Sequence, residues 1–200
     1  MRPLHSKKKR TTLAAAQQFA KRNMLFGMDA ADYLSEAERQ QIIADVSGQL
    51  EDVTRTQFPK TANIEYAILK SHLIVEYALT QIIRCSSYVL VQPETIKFSF
   101  SQKLEIAVLF GFGNGCPTTV PSIELLNRLR NQVAHRFFFE RPLLHDLVRV
   151  NIDSVDATSL SDRQLVSCLR HFCAFICGLI AGQLKTNVTT SHLATTRRPS

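Results

Sequence analysis

The residues best suited to chemistry are Arg130, Asn131 and His135, which fall within one segment, IELLNRLRNQVAHRFF, at positions 123–138. An imidazole with its ordinary pKa near ~6.5 can take up or release a proton at neutral pH. A guanidinium is always charged, and its planar fork matches two oxygens of a phosphate. Asn131 precedes His135 by one helical turn and can orient it. This combination indicates chemistry on a phosphate group.

A second interpretation of the same residues involves no chemistry. Arg130 can pair with Glu76 inside the fold, and His135 can cap the helix or pack against its end. Both interpretations agree with the residue types and their spacing. The sequence by itself leaves the two open.

The helix that positions these residues is expected to begin after Pro121, with Ser122 capping its first free amides. One side of it is apolar and is expected to face a core. The apolar positions recur at three- and four-residue steps: Leu125, Leu126, Leu129, Val133 and Phe137. The opposite side carries Asn127, Asn131 and His135, each one turn beyond the last. The helix thus presents a polar flank that can form a site.

A long central helix is predicted over residues 63–91, because its apolar residues form two adjacent stripes. The stripes are Ile64, Ile68, Val75, Leu79 and Ile82, and beside them Leu69, Leu73 and Ile83. Glu76 lies within the second stripe. A carboxylate there must either reach solvent or find a partner, since burying it alone is costly. We therefore expect Glu76 at the edge of the bundle or in a functional pair.

The chain as a whole is predicted to be an all-α antiparallel bundle of four to five core helices with an N-terminal helical appendage. Helices are expected near 13–28, 36–51, 63–91, 102–111, 122–138 and 162–185. Residues 147–152 fit either a short strand or an extended connector, and no segment shows sustained strand alternation. The predicted division is a disordered basic arm (1–12), the appendage (13–60), the bundle (61–185) and a disordered tail (186–200).

The formal net charge of +7 is distributed unevenly. Residues 1–28 hold seven basic residues and no acidic one, whereas residues 29–200 hold 17 of each sign. A neutral body does not favour a broad nucleic-acid groove, so any preference for anions must come from local clusters. The basic arm fits a solvated tail, a nucleic-acid contact or a nuclear signal, and less well an organellar presequence.

The five cysteines are an odd number and no secretory leader is evident, so we expect free thiols and a cytoplasmic protein. Cys168, Cys173 and Cys177 lack the pairing of two CxxC units that structural zinc requires. We expect neither a metal nor another cofactor. The apolar helix at 162–185 is interrupted by Arg170 and His171, which favours a buried bundle helix over a membrane span.

The segment LRNQVAH, with Arg130, Asn131 and His135, resembles the signature of HEPN domains (higher eukaryotes and prokaryotes nucleotide-binding). In that signature the arginine is followed by Asn, Asp or His, and the histidine comes four to six residues later. The segment HLIVEYALTQII, with Glu76, is similar to the earlier core helix of the family. KLEIAVLFGFG fits the layout that precedes its variable loop. The resemblance covers roughly residues 62–185.

The resemblance implies a metal-independent endoribonuclease in a toxin, phage-defence or RNA-processing role. It implies a homodimer in which two motifs face each other across a cleft. His135 would transfer protons during attack of an RNA 2′-hydroxyl on the adjacent phosphate, Arg130 would stabilise the developing charge, and Asn131 would hold the geometry. Supporting roles fall to Glu76 and Asn127. Arg128 and Arg136 would gather RNA in the groove between the two copies.

Two features of the sequence bear on the kind of partner and on the class of protein. HEPN toxins controlled by nucleotidyltransferase antitoxins carry a tyrosine two residues after the motif histidine, where this chain has Phe137. Control by that kind of partner is therefore not expected, although another antitoxin or regulatory protein fits. Mannitol-repressor-like regulators share a similar arginine-to-histidine stretch in an all-helical domain. The alternative function is thus a non-catalytic helical module for regulation or protein interaction.

Overall fold

A computed structural model of the chain describes residues 35–86, 97–136, 139–151 and 156–196, and these residues form six α-helices and one short 3-10 helix. The helices are α1 (Glu36–Gln57), α2 (Ile64–Ser86), α3 (Phe100–Leu109), α4 (Thr119–His135), α5 (Arg141–Asn151) and α6 (Asp162–Thr196), with the 3-10 helix at Ala157–Ser159 before α6. No strand occurs in these four ranges. The predicted all-α bundle is confirmed.

Helix α6 packs along α1 and α2 and sets the direction of the bundle. Thr54 of α1 contacts Cys177 of α6, and Glu51, one turn earlier, pairs with Lys185, so α1 and α6 run antiparallel. A short connection joins α1 to α2, which turns back along α1. Helices α2 and α6 therefore run in parallel, and both begin at the same end of the bundle.

Helix α1 belongs to the core, and its prediction as part of an appendage is wrong. The capping box that Ser35 and Glu38 were expected to form is present, with the Ser35 amide donating to Glu38 Oε2 at 2.9 Å. Ile43, Val46 and Leu50 are buried in the same apolar cluster as α2 and α6. An amphipathic helix joined to α2 by a short loop buries its stripe on the nearest core. Residues 13–34 lie outside the described residues.

Helix α2 ends at Ser86 in the described part of the chain, and residues 87–96 lie outside it. The first predicted stripe is buried at all five positions, as expected for a central helix. The second stripe is only partly buried, and its member Leu73 is 55% exposed. The arc of α2 that contacts the core is therefore narrower than predicted.

Helix α4 begins at Thr119, three residues before the predicted start, and Ser122 is not its cap. Pro121 lies in the first turn, where its missing amide breaks no helical hydrogen bond. The buried Ser122 hydroxyl donates to the Thr118 carbonyl at 2.8 Å and accepts from the Asn151 amide at 3.3 Å. Ser122 therefore ties α4 to α5.

Helix α5 occupies the stretch for which a strand or connector was predicted, so that prediction is wrong. Leu144, Leu147 and Val148 are buried at three- and four-residue spacing, which is the pattern of a helix packed on a core. Pro142 is compatible with the first turn of this helix. Helix α5 packs chiefly against α4 and the 3-10 helix at Ala157–Ser159.

Helix α6 continues to Thr196, so its predicted end at 185 and the predicted disordered tail from 186 are wrong over 186–196. By length and composition alone, Asp162–Thr186 is the one helix of the described residues that is long and apolar enough to cross a membrane. Half of that apolar window is buried inside the fold (50%). This burial favours the role of a core helix, in line with the prediction for this segment.

Candidate functional site

The residues of the Arg–His motif lie on the outer flank of α4, near its C-terminal end. Asn131 and His135 are exposed and Arg130 is half-buried. Arg130 Nη1 donates to Asn131 Oδ1 at 3.0 Å. Asn131 therefore contacts the Arg130 guanidinium in this structure, and its role in orienting His135 stays a prediction. His135 is the last residue of α4, and its imidazole forms no hydrogen bond or ion pair with another residue that the structure describes.

Beside this flank, a buried polar cluster joins α2 to α4. His72 of α2 is only 5% exposed, and its Nε2 lies 3.2 Å from Asn127 Oδ1 of α4. Because the amide oxygen can only accept, this contact places a proton on Nε2. The His72 ring stacks on Phe100 of α3, with 4.1 Å between ring centroids. Asn127 thus contributes to fixing α4 against α2.

Glu76 pairs with Lys103, so the structure does not contain the Glu76–Arg130 pair of the interpretation without chemistry. Lys103 Nζ lies 2.7 Å from Glu76 Oε1, and the two side chains are 16% and 29% exposed. The other carboxylate oxygen of Glu76 lies 4.0 Å from His72 Nδ1. Lys103 of α3 therefore neutralises the Glu76 carboxylate, and Glu76 does not neutralise the charge of Arg130.

Burial lowers the pKa of His72 below its ordinary value of 6.5. Asn127 and Glu76 act in the opposite direction, while the charges of Arg130 and Lys103 lower this pKa further. Arg130 therefore lies close enough to the cluster for its charge to act on His72. At neutral pH the cluster contains an uncharged imidazole.

A pH-dependent stability follows from the lowered pKa of His72. The unfolded chain protonates His72 more readily than the folded chain does. The contribution of His72 to the free energy of unfolding is therefore fully present above pH 6.5 and decreases as the pH falls below that value. We expect His72→Gln to remove part of this fall, because a neutral amide does not titrate. His171→Gln is the control, since His171 is exposed. Urea titrations between about pH 7.5 and 5 that give the same pH slope for wild type and His72→Gln would contradict this assignment.

The two arginines expected to bind RNA each lie near acidic residues. Arg136 Nη1 contacts Glu140 Oε1 at 3.1 Å, with both side chains exposed. Arg128 is exposed and lines a groove of about 690 Å³ between α3 and α4, which Glu105 and Glu124 also line. Positive charge is therefore balanced locally at both arginines, and neither forms a cationic groove within one copy of the chain.

His72 and Lys103 are the members of the site that sequence reasoning missed. A signal for His72 existed, because it precedes Glu76 by four residues and so shares its face of the helix. Lys103 carried no such signal, since its contact with Glu76 depends on how α3 lies against α2.

The thiols predicted to be core residues are Cys168, Cys173 and Cys177. Cys173 and Cys177 are buried, and burial raises the pKa of Cys173 to about 12 and that of Cys177 to about 11. Cys168 is half-buried. Within the described ranges, no three His, Cys, Asp or Glu residues are grouped so as to hold a metal ion. The absence of bound metal stays a prediction, which metal analysis of the purified protein tests.

Compared with models of protein families, with curated proteins and with solved structures, the chain matches none of them. The structure is a helical bundle in which a half-buried arginine and an exposed asparagine and histidine lie on one flank of a single helix. The function is therefore inferred from the chemistry of these residues and from the resemblance of their spacing to the HEPN signature.

Proposed function

We propose that this protein is a metal-independent endoribonuclease of the HEPN type. The observation that carries the proposal is the flank of α4, where Asn131 and His135 are exposed, Arg130 is half-buried and the Arg130–Asn131 contact measures 3.0 Å. The His135 imidazole can transfer protons and the Arg130 guanidinium can bind phosphate oxygens. Because both lie on one flank of α4, they can contact the same phosphate. RNA supplies its own nucleophile, the 2′-hydroxyl, so the protein needs only to move protons and stabilise charge.

The proposed reaction forms a bond between the 2′-oxygen and phosphorus and breaks the bond from phosphorus to the 5′-oxygen. His135 takes the proton of the 2′-hydroxyl, and a proton passes to the departing 5′-oxygen, from the same imidazole or from that of a second copy. Arg130 donates N–H groups to the phosphate oxygens as their charge grows. The products are a 2′,3′-cyclic phosphate and a 5′-hydroxyl.

The buried cluster supports this proposal by holding α4 in place. The contact between His72 and Asn127 ties α4 to α2, and the ion pair of Glu76 with Lys103 ties α3 to α2. Satisfied polar contacts in a buried setting favour a single arrangement of the helices. Glu76 and Asn127 therefore act as positioning residues, by way of partners that differ from the predicted ones.

The test is cleavage of a labelled RNA oligonucleotide by wild type, His135→Ala and His171→Ala. We expect His135→Ala to abolish cleavage and His171→Ala to retain it, because His135 is exposed on the motif flank and His171 is exposed on α6. Both variants should keep the wild-type circular dichroism spectrum and urea midpoint. Equal cleavage by wild type and His135→Ala would refute the assignment of His135.

A non-catalytic interaction module is the second candidate, and a specific feature favours it. Val108, Leu109 and Phe110, at the end of α3, are 38%, 84% and 41% exposed. Three consecutive large apolar residues in solvent are typical of a contact surface. If the wild-type protein leaves RNA intact, this candidate becomes the better account of the fold.

The partners implied by the resemblance stay predictions. These are RNA, a second copy of the chain and an antitoxin or regulatory protein. The predicted absence of a cofactor and the cytoplasmic location also stay predictions. Phe137, on which the expectation about the antitoxin depends, lies outside the described residues.

A further inference from the structure

A cleft of about 400 Å³ opens where the α1–α2 connection meets the first turns of α6. Its charged lining residues are Lys60, Arg163 and Arg170, and the hydroxyls of Thr61 and Ser167 line it as well. We call these five residues the basic cleft. No carboxylate lines it. It therefore combines three positive charges with two neutral donors.

The cations of the basic cleft have no counter-charge in the part of the chain that the structure describes. Lys60, Arg163 and Arg170 are exposed, and none of them forms an ion pair with a described residue. The acid next in sequence, Asp162, is 2.8 Å from Arg141 and so is already neutralised. Three like charges around one cleft repel each other, and an anion bound among them relieves that repulsion.

Two members of the cleft are held in an orientation that suits an anion. The Arg170 guanidinium lies over the ring of Phe58, with Cζ 5.2 Å from the ring centroid. A guanidinium over an aromatic ring can still donate its N–H groups to an anion, because the ring accepts none of them as conventional hydrogen bonds. Thr61 Oγ1 already accepts from the Asn63 amide at 3.0 Å, so the hydroxyl proton remains available for donation.

The basic cleft and the motif lie at the same end of the bundle. The Glu140 amide donates to Gln132 Oε1 of α4 at 3.0 Å, and the next residue, Arg141, pairs with Asp162 in the first turn of α6. These contacts connect the C-terminal end of α4, where His135 lies, to the beginning of α6.

We propose that the basic cleft binds a phosphate group, either one in the backbone of an RNA strand or one in a small phosphate compound. Two guanidinium groups and an ammonium match the charge and the acceptor oxygens of a phosphate, and the two hydroxyls add neutral donors. The proposal goes beyond the proposed function, because a phosphate can bind here whether or not the motif cleaves RNA.

The test compares two double variants of the full chain, each in the His135→Ala background so that RNA stays intact during binding. Lys60→Gln with Arg163→Gln removes two charges of the cleft, and Arg170 is kept because it packs on Phe58. Arg55→Gln with Arg84→Gln is the matched control, since both residues are exposed and lie outside the cleft. The basic residues of 1–28 contribute equally to both proteins.

Binding of a labelled single-stranded RNA is measured against salt concentration, and binding of orthophosphate by NMR titration. For RNA as the ligand, the cleft variant should give a plot of log K against log salt that is shallower than that of the control by about 0.7, which corresponds to the loss of one neutralised phosphate. For a small phosphate compound as the ligand, the cleft variant should lose orthophosphate binding that the control keeps, with equal RNA slopes.

Equal RNA slopes together with equal orthophosphate binding in the two double variants would overturn the proposal. Either difference supports it and identifies the source of the phosphate. Failure of the proposed function is distinct from this outcome. A protein that never cleaves RNA but loses phosphate binding in the cleft variant refutes the nuclease and keeps the basic cleft.

Discussion

Replacing Arg130 by lysine is expected to lower the rate of RNA cleavage about 10²–10³-fold, the typical loss when one donor to a developing charge is removed. A point-charge ammonium cannot present two parallel N–H groups to a phosphate. Nor can it reproduce the contact of the guanidinium with Asn131, which measures 3.0 Å. Single-turnover cleavage of a labelled RNA by Arg130→Lys and wild type measures the effect.

The matched control for this prediction is Arg128→Lys, two residues earlier on the same helix. Arg128 lines the groove between α3 and α4, together with Glu105 and Glu124. The substitution Arg128→Lys is expected to change the cleavage rate little. Stability should also be little affected in Arg130→Lys, because Glu76 is neutralised by Lys103. A cleavage rate for Arg130→Lys equal to that of Arg128→Lys would show that Arg130 does not act on the phosphate.

The largest loss of stability is expected from Leu129→Ala, on the side of α4 opposite the motif. Leu129 is fully buried, at 0% exposure. Removing its side chain leaves a cavity in a packed core, and we expect the free energy of unfolding to fall by about 2–5 kcal/mol. Urea unfolding followed by circular dichroism measures the change. Because this side chain holds the helix that carries Arg130, cleavage should fail at lower urea concentrations as well.

Leu109→Ala is the control for the core, since Leu109 is 84% exposed. An exposed substitution of this kind changes the free energy of unfolding by no more than about 0.5 kcal/mol. If Leu129→Ala were as stable as Leu109→Ala, the packing of α4 described above would be wrong.

Local rules were enough to predict most of the helices and one side of α4. The capping box of Ser35 and Glu38 marks the start of α1, because both halves of the motif lie within four residues. The burial of Leu125, Leu126 and Leu129 follows from their three- and four-residue spacing. These signals depend on neighbours within one or two turns, which the sequence displays directly.

The predictions that were wrong concern segments whose structure local spacing does not determine. In the sequence of residues 147–152, Val148, Val150 and Ile152 alternate with Arg149 and Asn151, and this brief alternation is compatible with a short strand. Packing of the helix against α4 decides the matter, and that depends on the tertiary fold. The predicted start of α4 is three residues too late. Proline fits the first turn of a helix as well as a position just before the helix, so Pro121 does not fix where α4 begins.

In the candidate site, too, the features set by helical spacing were predictable and the contacts between helices were not. The common flank of Arg130, Asn131 and His135 follows from helical spacing and was predictable. The partner of Glu76 was not, because Lys103 reaches it from another helix. The contact of the Asn131 side chain with Arg130 depends on rotamers that a spacing rule does not specify.

The measurement that tests the central claim most directly uses two oligonucleotides of one sequence, one all-ribose and one with 2′-deoxy sugars, incubated with wild-type protein and excess chelator. The proposed reaction predicts that the all-ribose strand is cut to fragments with 2′,3′-cyclic phosphate and 5′-hydroxyl ends, and that the deoxy strand stays intact. An all-ribose strand that stays intact, or cleavage that requires a divalent metal or occurs equally in both strands, would contradict the claim.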